Sequence, residues 1–85
     1  SLAPLLAQGK LAEFETKAAE DLISGSGDFG SELQGYKWEV VVDTVVSEEL
    51  GNYADDLKVI DVIVSNIDNI SVNLRTYRMI IDSND

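Results

Sequence analysis

The side chains in this sequence that could do chemistry are carboxylates. Its 85 residues hold 16 Asp and Glu against 6 Lys and Arg, with no histidine and no cysteine. Without histidine, the commonest general base, metal ligand and pH switch is missing, and no Ser or Thr has an imidazole to activate it. Without cysteine there is neither a disulfide nor a thiolate metal site. The acidic pairs closest in sequence are Glu48/Glu49, Asp55/Asp56 and Asp82/Asp85. Acid–base work by such a pair needs two unlike environments and a pocket that drives the two pKa values apart. These pairs fall in a polar loop and a tail, where solvated surface charge is the expected state. A chain this short also leaves little room for a pocket on the order of several hundred Å³. Asn52, Asp55 and Asp56 offer hard oxygen ligands for calcium, but the Asp-x-Asp-x-Asp-Gly spacing of a calcium loop is absent. The sequence therefore predicts no enzyme, no catalytic residue, no metal and no cofactor.

Gly25-Ser26-Gly27 with Gly30 matches the spacing of a phosphate-binding GxGxxG. That motif must follow a strand and open a helix, and here it follows a helix, so it reads as a connecting loop. The formal net charge of −10 and a sequence pI near 4.1 argue against nucleic acid, whose phosphates need clustered cations. An anionic membrane surface is repelled for the same reason. No small-molecule substrate is indicated.

The elements that position these residues begin with a helix over about 2–24. Ala7, Leu11, Phe14, Ala18 and Leu22 recur at helical spacing, and Lys10, Glu13, Glu15, Lys17, Glu20 and Asp21 lie mostly off that face. Glu13 and Lys17 are set for an i,i+4 pair worth roughly 0.3 kcal/mol. Ser24-Gly25-Ser26-Gly27 ends the helix, and 24–35 reads as a glycine-rich loop in which Phe29 and Leu33 tuck against the core. Alternation then predicts strands over about 36–46, 57–65 and 70–81. Tyr36, Trp38, Val40 and Val42 share one face of the first, Ile60, Val62 and Val64 one face of the second, and Ile70, Val72, Leu74 and Thr76 one face of the third. The turn between the last two is the Asx-rich Ser65–Asn69. A meander of three or four antiparallel strands, covered by one helix, is a single α+β domain over 1–85. Trp38 is expected on the covered face, with Trp38→Ala costing roughly 3–5 kcal/mol. A loss below about 1 kcal/mol would make it a surface anchor instead.

Leu2-Ala3-Pro4-Leu5-Leu6-Ala7 is apolar almost all round. Pro4 in the first turn suits a helix start. The same residues also suit the end of a longer apolar helix.

Taken together, Lys10–Glu15 on a long N-terminal helix, a glycine-rich loop, Tyr36–Val42, Leu57–Val64 and Leu74-Arg75-Thr76-Tyr77 resemble the type IV pilin-like proteins. Within them the pattern is similar to the I-type minor pseudopilins of bacterial type II secretion, over most of the chain. The family's basic leader, peptidase site and apolar membrane helix lie outside these residues, and this chain is more acidic than the pattern. The resemblance implies a pilin-like fold and a structural role in protein export. It implies anchoring in the bacterial inner membrane with this domain on the periplasmic side. It also implies partners: the J- and K-type minor pseudopilins, met through the helix at the tip of the pseudopilus. Leu5, Leu6, Leu11 and Phe14 are the candidate contacts, and for Leu11 and Phe14 a place in the core under the sheet is the competing reading. A minor pilin of a type IV pilus and a small acidic binding or adaptor module remain open alternatives.

Overall fold

A computed structural model describes residues 1–45 and 57–80. One helix, α1 (Ala3–Thr16), lies on a four-stranded antiparallel sheet of β1 (Gly25–Asp28), β2 (Lys37–Thr44), β3 (Leu57–Ser65) and β4 (Ser71–Met79). Spatial order follows chain order, β1-β2-β3-β4. The α+β meander is thus present, with its fourth strand inside the stretch expected to be loop. Gly25–Asp28 carries no apolar alternation of its own. Pairing with β2, Gly25 opposite Val40 and Asp28 opposite Lys37, makes it a strand.

The core is drawn from the side chains that alternation assigned to one face of the sheet, closed by the helix, though Ile70, assigned to that face, precedes β4 and is exposed. Val40, Ile60, Val62 and Val64 are fully buried, with Ala3, Ala7 and Phe14 of α1 against them. Alanine at two positions four apart lets the helix backbone approach the sheet closely over β3 and β4, the strands it contacts most. The helix runs parallel to β4. At its start the Leu2 N–H donates to the Tyr36 hydroxyl (3.0 Å), and at its end Arg78 Nη1 donates to the Phe14 carbonyl (3.2 Å).

α1 stops at Thr16 rather than near residue 24, and that second bond serves its last turn. The last-turn carbonyls of a helix need partners. Arg78 supplies one from β4, and the Thr16 hydroxyl folds back onto the carbonyls of Ala12 (3.4 Å) and Glu13 (3.3 Å). The backbone then extends at Lys17 and Ala18 before a short 3₁₀ turn, Ala19–Asp21, delivers Leu22 to the core. Leu22 is buried as its spacing implied, but Ala18 is exposed. Glu13 pairs with Lys10 (3.1 Å) instead of Lys17, whose ammonium lies 5.0 Å from the centre of the Phe14 ring.

Trp38 faces the helix side as expected but is half-buried rather than enclosed. Its indole lies flat on β1. A Cβ at Gly27 would stand 3.0 Å from Trp38 Cζ2, and Nε1 donates to the Asp28 carbonyl at 3.0 Å. The Lys10 ammonium covers the ring at 4.2 Å from its centre. The turn after β3 is the Asx turn expected: Asn66 Oδ1 accepts from the N–H of Asp68 (2.9 Å) and of Ile70 (3.1 Å), and Asn69 sits at φ 65°.

Candidate functional site

Of the four candidate contact residues, the structure buries Phe14, exposes Leu5 and leaves Leu6 and Leu11 half-buried against the core. Phe14 is 5 % exposed and belongs to the core, and Leu11 packs against that core. Phe14 has the place in the core that the competing reading gave it, so a partner approaching the folded domain does not meet it as a free surface, while Leu11 is half-buried like Leu6. Leu5 is 66 % exposed, with Leu2 at 46 % beside it, and Leu6 is half-buried.

Leu5 and Leu6 line a hollow of about 260 Å³ with Gly9, Lys10, Glu13 and Phe29. The fold builds it in three steps. The helix lies over β3 and β4, which turns its opposite flank past the edge of the covered face. The loop after β1 brings Phe29 up as a far wall. Gly9 leaves the floor open, since nothing lies within 4 Å of the position its Cβ would take. Glycine inside a helix costs about 1 kcal/mol relative to alanine, and no contact among the described residues requires it. Lys10 and Glu13, bonded to each other, form a polar rim. Apolar walls, a missing side chain at the floor and a charged rim fit the insertion of an apolar side chain from a neighbouring helix. The sequence flagged Leu5 and Leu6, but missed Gly9 and Phe29, because only folding sets Phe29 across from a mid-helix glycine.

Two further hollows lie at the Gly35–Lys37 end of the sheet. One, of about 310 Å³, is lined among others by Asp28, Ser31, Gln34 and Tyr36. The other, of about 350 Å³, is lined by Gly35, Lys37, Ser65, Asn66, Ile67 and Asn69. The Tyr36 phenol there is held below its usual pKa, first by the Leu2 N–H it accepts from and then by the Ser1 hydroxyl. The Arg75 guanidinium is held above its usual value by its hydrogen bonds to Asp61. Both shifts follow from bonds that fasten elements together. Among the described residues no three Asp or Glu converge as a metal site would need. The pairs Glu48/Glu49, Asp55/Asp56 and Asp82/Asp85, and Asn52, lie outside the described residues. Among the described residues no helix is long and apolar enough to cross a membrane.

No protein-family model, curated protein or solved structure matches the chain.

Proposed function

We propose that this domain is a structural minor pseudopilin of the I type. In this reading it assembles with J- and K-type minor pseudopilins at the pseudopilus tip of a type II secretion system and supports protein export without catalysing a reaction. The reading places the domain on the periplasmic side of the bacterial inner membrane. One observation carries it: the hollow at Gly9, rimmed by Leu5 and Leu6, on the helix flank that the sheet leaves uncovered. A helix that contributes one face to its own core and presents a glycine-floored notch on another is suited to packing beside a second helix.

The test is co-purification with J- and K-type domains from the same genome, read by size-exclusion chromatography with light scattering. A heteromeric complex should form, and Leu5→Glu should abolish it while leaving the circular dichroism spectrum and unfolding midpoint of the isolated domain unchanged. Gly9→Ala should raise the stability of the isolated domain by about 0.5–1 kcal/mol and yet weaken the complex. A domain that stays monomeric with both partners would overturn the assignment.

A further inference from the structure

Among the described residues the sheet has two edges, and they differ. β1 has only four residues, two of them glycine, under the Trp38 indole. β4 runs nine residues, SVNLRTYRM, with no proline, glycine or lysine to discourage pairing. Two bonds fix which of its main-chain groups look outward. Val45 N–H donates to the Leu57 carbonyl and Asn66 N–H to the Ile70 carbonyl, each at 2.9 Å. Antiparallel alternation from those points turns the even-numbered residues of β3 towards β4, and the register Val64–Val72 and Val62–Leu74 makes their partners the even-numbered residues of β4. Ser71, Asn73, Arg75, Tyr77 and Met79 therefore aim their N–H and C=O groups away from the sheet.

We propose that this edge accepts an extended acidic–apolar strand of another protein as a fifth strand. Charge selects that occupant. β4 carries two of the six cationic side chains of the chain and none of the sixteen acidic ones. Both arginines are drawn back onto the domain, Arg75 by Asp61 (2.8 and 3.0 Å) and Arg78 by the Phe14 carbonyl, so neither blocks the edge. Arg75 nonetheless stays 57 % exposed with N–H groups to spare, and a carboxylate on the incoming strand would meet it. Tyr77 (58 %) and Met79 (44 %) give that strand an apolar surface on the same face. A second copy of this chain fits badly: Arg75 is the middle residue of β4, so symmetric antiparallel pairing sets arginine against arginine between two chains of net charge −10. Main-chain pairing supplies affinity here and the alternate side chains supply choice. The edge lies on the side of the helix away from the Gly9 hollow and does not depend on what fills it.

The probe is a nine-residue peptide of alternating valine and threonine with two glutamates placed to face Arg75 and Arg78, added to the ¹⁵N-labelled domain. Saturable amide shifts centred on Ser71, Asn73, Arg75, Tyr77 and Met79 are expected. They should vanish when alternate peptide amides are N-methylated, and binding should weaken roughly tenfold when lysine replaces both glutamates. Asn73→Pro removes an outward N–H and should abolish binding while keeping the sheet. Should that variant fail to fold, the N-methylated peptide interrogates the same edge on the unaltered domain. Absence of shifts, shifts that survive N-methylation, equal binding of the lysine peptide, or a homodimer formed through β4 would each overturn the proposal.

Discussion

Trp38 organises the β1 side of the sheet, and its neighbours show how one residue sets the demands on several others. The indole spans Gly25 and Gly27 across the β1–β2 pair, so a side chain at either position would project towards it. The two sites differ in clearance. A Cβ at Gly25 would meet the ring at 3.8 Å, an ordinary contact, whereas at Gly27 it would meet three ring atoms at 3.0–3.1 Å. The ring cannot slide away without stretching its bond to the Asp28 carbonyl. Gly27→Ala should therefore destabilise the domain by about 1–2 kcal/mol in urea unfolding. Gly25→Ala should be neutral or slightly stabilising, because it only narrows the unfolded ensemble. Equal effects at the two positions would mean that the indole does not rest on β1. Phe29 and Gly9 show the same dependence on folded context, since neither residue type alone announces a hollow.

At the scale of elements, β2, β3 and β4 were legible because their apolar alternation is a property of the strands themselves: Val40, Val42, Ile60, Val62, Val64, Val72 and Leu74 read directly as one covered face. The end of α1 was not legible. Helical spacing continues through Ala18 and Leu22, and the nearest glycine is Gly25, so local rules extend the helix too far. Its last turn is instead met by an arginine more than sixty positions away in the chain. Arg78 also places its positive charge at the negative end of the helix dipole. Arg78→Met keeps much of the stem's apolar cover and removes only the donor and the charge. It should cost about 1–2 kcal/mol, with hydrogen-exchange protection lost first in Phe14, Glu15 and Thr16. A uniform loss of protection across α1 and the sheet would instead assign Arg78 a general packing role.

For the molecule as a whole, charge is the dominant non-local force. A chain of net charge −10 repels itself, and the described residues offset this with only two ion pairs, Lys10–Glu13 and Asp61–Arg75. Exposed pairs of this kind contribute little, whereas like-charge repulsion accumulates over the whole surface. Salt screens both, with the Debye length falling from about 20 Å to a few Å between about 20 mM and about 500 mM. Because repulsion outweighs the two attractive pairs, the melting temperature should rise as sodium chloride is added across that range, measured by calorimetry at fixed pH. A falling melting temperature would mean that attraction prevails. The same acidity opposes close packing of two identical copies, and among the described residues the hollow beside Gly9 and the edge of β4, which carries no acidic residue, are surfaces open to another chain. Both are legible only once the sheet is assembled, because net charge and alternation describe the chain but not which flank and which edge remain uncovered. Salt should accordingly strengthen association at the hollow, where screening lowers repulsion between acidic domains, and weaken pairing of an acidic strand with Arg75 and Arg78 at the edge. Opposite salt dependence of the two binding events, read by titration at both salt concentrations, would distinguish the surfaces without altering a single residue.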